Sequence, residues 1–162
     1  MESMLKLVLV IFTCAISVSC NLDPAEDKKT NEVDQLHDGD LIFQISTSGQ
    51  GRAIQLATHS PYTHCGIIFR EGDQAYVYEA VQPVKKTTLG EWIRHGTDGH
   101  FEVKRLKNAS QILDDNLITA MKQIANSMRG KDYDLTFGWD DDKLYCSEYV
   151  YKIYHRAAGV EI

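Results

Sequence analysis

The chain has little of what marks the specialised protein classes. Three prolines and eleven scattered glycines in 162 residues exclude a collagen-like or low-complexity chain. No repeat is visible. Basic residues number 17 against 23 acidic ones, a net charge of −6, so there is no basic stripe to track phosphates and a nucleic-acid partner is not expected. No apolar run is long enough for a comfortable membrane span. Four cysteines are too few for a disulfide framework once their places are considered below. What is present is an ordinary globular composition, 43% apolar and 25% charged, with enough material for one core and one domain.

The first twenty residues are the membrane-directed part. Lys6, offset by Glu2, precedes an apolar stretch from Leu7 to Val18. The sequence Ser17-Val18-Ser19-Cys20 resembles a bacterial lipobox, with Ser17 where leucine is usual. The expected organisation is a lipoprotein signal peptide over residues 1–20, a flexible polar tether over 21–36 and a folded domain over 37–162. Cys20 is the expected lipidation site, which predicts a protein anchored to a bacterial envelope membrane and facing the periplasm or cell surface. A plain secretory signal and a retained anchor are the alternatives. Cys14 leaves with the signal, so the domain keeps Cys65 and Cys146, enough for one bridge or for a working thiol.

Within the domain, Leu41 to Ile45 reads as a buried strand, Arg52 to Thr58 as a short helix, and Thr63 to Arg70 as a second strand. The Glu71-Gly72-Asp73 turn makes a hairpin with a third strand, Ala75 to Gln82. Thr88 caps a short helix around Trp92, and Phe101 to Leu106 is a fourth strand. Leu113, Leu117, Met121, Ile124 and Met128 recur at helical spacing and predict one long helix, Gln111 to Arg129. Asp140, Asp141 and Asp142 are expected to open a last helix, Leu144 to Ala158. Antiparallel strands with segregated helices make an α+β domain.

Three residues stand out chemically. Cys146 lies in the first helical turn, where the macrodipole and unpaired N–H groups stabilise a thiolate and can hold an oxyanion. Taken alone it is more often a small buried hydrophobe on an amphipathic helix. His64 alternates with Gly66 and Ile68 on one strand face, and Cys65 with Ile67 and Phe69 on the other. Glu79 sits in an apolar row between Val77 and Val81, where a carboxylate is costly to bury without a partner. A hairpin centred near residue 71.5 pairs positions 64 and 79, which supplies that partner; an edge strand with Glu79 in water is the alternative. Together they form a nucleophile, a base and an orienting acid, the set needed for thiol acyl transfer. Cys65, on the other face, is expected to stay a buried neutral thiol.

The segments DGDLIFQ, AIQLATHSPYTHCGIIF, YVYEAV and YCSEYVYKIY resemble those of the permuted papain-like amidases of the YaeF/YiiX family, in the NlpC superfamily. The resemblance runs from about Leu36 to Ile162. It implies a circularly permuted papain-like fold, an antiparallel sheet packed against helices with the nucleophile at a helix N-terminus. It also implies a cysteine amidase or peptidase in which Cys146, His64 and Glu79 are catalytic, working through a thioester on a peptide or N-acyl amide of the envelope, with no metal or cofactor. Lipid acyl hydrolysis or transfer by the same triad, and a non-catalytic ligand-binding lipoprotein, are the alternatives. Such domains usually continue past the cysteine helix, so stopping at Ile162 is read as a truncation or as a member lacking a closing element. Zinc on His59, His64 and Cys65 lacks a second ligand pair, and Asp140 to Asp142 lack the EF-hand spacing. The aromatic stretch from Tyr133 to Trp139 either lines a cleft or packs in the core.

Overall fold

A computed structural model describes residues 33, 35–46 and 49–162. The signal segment, Cys20 and most of the tether lie outside the described residues. From Leu36 to Ile162 the chain forms one compact unit.

Five strands build one antiparallel sheet: β1 (Leu41–Ser46), β2 (His64–Glu71), β3 (Gln74–Glu79), β4 (Lys85–Thr88) and β5 (Gly96–Lys104), in the order β4-β3-β2-β1-β5. Helix α1 (Gly51–Thr58) joins β1 to β2, and α2 (Leu89–His95) joins β4 to β5. A one-turn helix α3 (Ala109–Ile112) leads into α4 (Asp115–Ser127). A short parallel pair, β6 (Asp132–Tyr133) and β7 (Lys143–Leu144), precedes α5 (Cys146–Ala158).

Alternation along the strands gives the sheet two different faces. Cys65, Ile67, Phe69 and Tyr78 point to the face that packs against Ile118, Met121 and Ala125 of α4 and Tyr149, Val150 and Ile153 of α5. This is the main core. The other face carries Ile42, Ile68 and Val77, all fully buried, together with His64 and Glu79. Trp92 of α2, also fully buried, lies there with its ring 6.0 Å from that of His64. The entry to the sheet is held by Asp40, 1% exposed, which accepts two bonds of 2.7 Å from the Arg105 guanidinium. Tyr154 on α5 donates its hydroxyl to the Gly39 carbonyl, tying the last helix to the first turn.

Several boundaries differ from the sequence reading, each for a local reason. The β2–β3 ladder pairs Ile67 with Tyr78 and Glu71 with Gln74, so the turn is the two residues Gly72-Asp73 and Glu79 lies opposite Gly66 rather than His64. Moving the turn centre by one residue moves the pairing by two, which keeps every side chain on its expected face. Strand β3 stops at Glu79, short of the expected Gln82, because the chain turns there to pair elsewhere: Val84 N–H donates to Lys131 and Gly130 N–H to Val84. The unexpected β4, KKTT, has no apolar alternation to reveal it; its two lysines suit a sheet edge.

The single helix expected over Gln111 to Arg129 is interrupted. Asp114 adopts an extended conformation and its carboxylate caps α4, accepting the Leu117 N–H at 2.8 Å. Asp140 to Asp142 do not open the last helix, which begins at Cys146. Asp140 instead accepts the N–H groups of Asp142 and Lys143 in a turn, and Asp141 pairs with Lys152 at 2.9 Å and Arg156 at 2.5 Å. The acid in the first turn is Glu148, whose carboxylate accepts the Tyr145 N–H at 3.4 Å.

Candidate active site

The site is assembled where β2, β3, β4 and the start of α5 converge. His64 opens β2 and Glu79 closes β3. Their side chains share a face, offset diagonally by one pleat. Gly66 between them has no Cβ, and one built there would stand 2.4 Å from Val77 and 2.9 Å from the Tyr78 carbonyl. The glycine therefore lets the strands close under the pair. His64 Nε2 and Glu79 Oε2 meet at 2.7 Å, and the other carboxylate oxygen accepts the Thr87 hydroxyl at 2.5 Å. Glu79 is 2% exposed. Burial pushes its pKa up, but the hydrogen bond and charge of His64, with help from Thr87 and Lys85, hold it below the ordinary carboxylate value.

With Nε2 committed to Glu79, the remaining imidazole nitrogen is left for Cys146, whose sulfur interacts electrostatically with the ring. Burial alone would make His64 harder to protonate. The bonds and charges of Cys146 and Glu79 outweigh it and raise the imidazole to about 9. The Cys146 thiol moves the opposite way, well below its ordinary value. The Cys65 thiol bonding to it is the largest cause; burial opposes, and the His64 hydrogen bond and charge and the Cys65 backbone N–H add to the lowering. Both shifts run in the direction that favours moving the thiol proton to the imidazole.

The structure thus brings Cys146, His64 and Glu79 together. It also brings in Cys65, which the sequence reading set apart. Cys65 does lie on the opposite strand face from His64, but that is the face on which α5 packs, so it meets Cys146 there. Donating to the neighbouring thiolate, with burial in the same sense, raises the Cys65 thiol far above its ordinary value. Both cysteines are free. Two more participants had no signal of their own: Thr87 lies on the unrecognised β4, and Tyr133 of β6 lies close enough to Cys146 to feel its charge. Burial and the nearby thiolate push the Tyr133 hydroxyl up. His59 ends α1 in a left-handed conformation with φ 53°.

An open cavity of about 540 Å³ adjoins the pair and is lined by His64, Glu79 and Tyr133, with Gln44 and Thr63 on one side and Lys85 on the other. Leu135 reaches its rim, while Phe137 and Trp139 of the aromatic stretch are exposed at 45% and 61%. Among the described residues, no helix is long and apolar enough to cross a membrane.

Comparison with known proteins agrees with this architecture. The uncharacterized protein YiiX of Escherichia coli (strain K12) is 44% identical over 124 residues, which are 76% of this chain and 60% of the relative. The chain thus spans 60% of the length of the curated relative it matches. A crystal structure of a protein described as metalloprotein yiiX, from Escherichia coli O157:H7, superposes with a TM-score of 0.74 at 45% identity, covering 79% of this chain and 69% of that one. Residues 35–162 match the family of permuted papain-like amidase enzymes, YaeF/YiiX, C92 family. An α+β domain with a five-stranded antiparallel sheet, its histidine strand ahead of its cysteine helix, belongs to the permuted papain-like amidase family.

Proposed function

We propose that the protein is a cysteine amidase or peptidase in which Cys146, His64 and Glu79 act as nucleophile, base and orienting acid. The observation that carries this reading is the buried His64–Glu79 bond of 2.7 Å in contact with a cysteine in the first turn of α5. The Cys146 thiolate attacks the amide carbonyl carbon. The oxyanion takes the Cys146 backbone N–H, one of the unpaired donors of the first turn. The Tyr133 hydroxyl, in reach of the same sulfur, serves as the second donor. The His64 imidazolium passes its proton to the leaving nitrogen as the C–N bond breaks, which leaves a thioester. His64, now neutral, then takes a proton from water as that water attacks the thioester. Collapse releases a carboxylic acid and restores the thiolate and imidazolium.

The cavity is open enough to admit a peptide-sized amide of the envelope. A lipid acyl group is the second reading, favoured by the exposed Leu135 at the rim. No group of three or more His, Cys, Asp or Glu among the described residues is arranged to hold a metal ion, so the donor set does not fit a metal centre and no step runs through one. We place the protein on an envelope membrane, held by lipid on Cys20, on the strength of the leader sequence.

The test is product identity. Purified protein is expected to release amine from peptide amides, and Cys146→Ala to abolish release; release of fatty acid from lipids with peptide amides untouched contradicts the amidase reading. Fractionation tests the compartment. The protein is expected in the membrane fraction, and Cys20→Ser to release it or leave the precursor uncut; detergent-free soluble protein from the unmutated gene contradicts lipidation.

A further inference from the structure

The charge of the cavity beside His64 is not that of the whole chain. The chain carries −6, yet the cavity has Lys85 and the rings of His64 and His95 on its wall, against a single acid, Glu79. That acid is already engaged by His64 and Thr87. Lys85 is half-buried, and among the described residues it makes no ion pair. The other strand-β4 lysine, Lys86, points to the opposite face and is paired with Glu71 at 2.6 Å. Lys85 acts on Glu79 through its charge alone, with no direct ion pair, so its ammonium is left to attract an anion of the ligand more strongly than it would at an open surface.

The position of Lys85 sets where that anion lies. It is the cross-strand partner of Glu79, so the two Cβ atoms stand roughly 5 Å apart on one face. It lines the cavity together with His64 and Glu79, so its side chain shares a wall with the imidazole. On the facing wall, Gln44 is 1% exposed and is the cross-strand neighbour of His64. Its buried Oε1, packed against Gly96, has no hydrogen-bond partner among the described residues and leaves the cationic wall as the ligand-binding feature. A carboxylate close to the scissile bond meets the Lys85 ammonium.

We propose that this cavity selects amides bearing a free carboxylate next to the scissile bond, with Lys85 as the residue that binds the carboxylate. This rests on Cys146 being the nucleophile, and it narrows the substrate from amides in general to acidic peptide-type amides. Lys85 takes no part in the bond-making steps; it orients the substrate.

Two measurements on the full chain decide it, and they fail separately. The first is the rate of Cys146 alkylation by iodoacetate relative to iodoacetamide, two reagents that differ in carrying a carboxylate or a neutral amide. The His64 imidazolium favours iodoacetate in every variant, so the comparison is between variants. Lys85→Met is expected to lower the ratio about fivefold at low salt, with Lys85→Arg retaining it and Lys86→Met, the same charge change on the other face, leaving it unaltered. An unchanged ratio in Lys85→Met overturns the proposal. The second is calorimetric binding of N-acetylglycine and N-acetylglycinamide to Cys146→Ala. The carboxylate is expected to bind about fivefold or more tightly than the amide, an advantage lost in Lys85→Met. Equal affinities overturn the subsite whatever the thiol does. If Cys146 is inert to both reagents while the carboxylate still binds through Lys85, the subsite stands and the nucleophile reading falls.

Discussion

A buried carboxylate is tolerated at residue 79 because two groups bond it, His64 and Thr87, and the cost of removing either follows from that. In Glu79→Gln the His64 ring loses its charged acceptor, and Thr87 keeps only a weaker one. His64 is then expected to titrate well below about 9, its value in the intact site, and the fold to lose about 1–3 kcal/mol. An NMR titration of the His64 ring reads the first effect and urea unfolding the second. A His64 titration that does not move would mean that Glu79 does not hold the imidazolium. The neighbouring thiol gives a second prediction at this scale. Cys65→Ala removes the largest influence lowering the Cys146 pKa, so alkylation of Cys146 near pH 6 is expected to slow about three- to tenfold, with folding weakened by no more than about 1–2 kcal/mol. Cys146, His64 and Glu79 were legible as residues out of keeping with their surroundings: a thiol at a helix start, and polar groups in apolar rows. Cys65, Thr87 and Tyr133 were not. Each is an ordinary residue until a distant element packs against it, and nothing within a few positions of it announces that approach.

At the scale of elements, the faces were legible and the boundaries less so. Hydrophobic period 2 placed Val77 and Glu79 together, and that survived a register differing from the expected one by two residues. An error of one would have turned His64 and Glu79 to opposite faces. The period of α4 likewise put Met121 and Met128 in the core, where they are 0% and 2% exposed, although Asp114 breaks the helix that the same period joined. Periodicity records burial and is blind to a cap. Asp114→Ala is accordingly expected to cost about 1 kcal/mol in urea unfolding, since α4 loses the acceptor for Leu117 N–H. A sharper prediction concerns Gly66. Its added Cβ in Gly66→Ala meets the Tyr78 carbonyl of the adjoining strand at 2.9 Å as well as the Val77 side chain, and backbone cannot rotate aside. The strands beneath the His64–Glu79 bond must part, with an expected loss of about 1–3 kcal/mol and a lowered His64 pKa. Unchanged stability would mean that the close β2–β3 approach is not needed.

Over the whole molecule, the charged trio links folding to pH in two windows. His64 titrates at about 9 in the folded protein against 6.5 in an unfolded chain, so its contribution is fully present below 6.5 and is lost as pH rises through about 9. Glu79 is depressed, so its contribution is present above the ordinary carboxylate value and is lost as pH falls through its lowered folded value. Stability is expected to sag on both sides of neutrality, and the alkaline limb to vanish in His64→Ala; an alkaline limb that persists in that variant belongs to another group. The same pair sets the thiol chemistry, and the direct measurement is the rate of iodoacetamide labelling of each cysteine against pH, mapped by mass. Near pH 6 the account predicts strong labelling of Cys146, almost none of Cys65, and a slowing of Cys146 by about tenfold or more in His64→Ala. Faster labelling of Cys65, or two cysteines that both react like a free thiol and ignore His64→Ala, would contradict an activated nucleophile at Cys146.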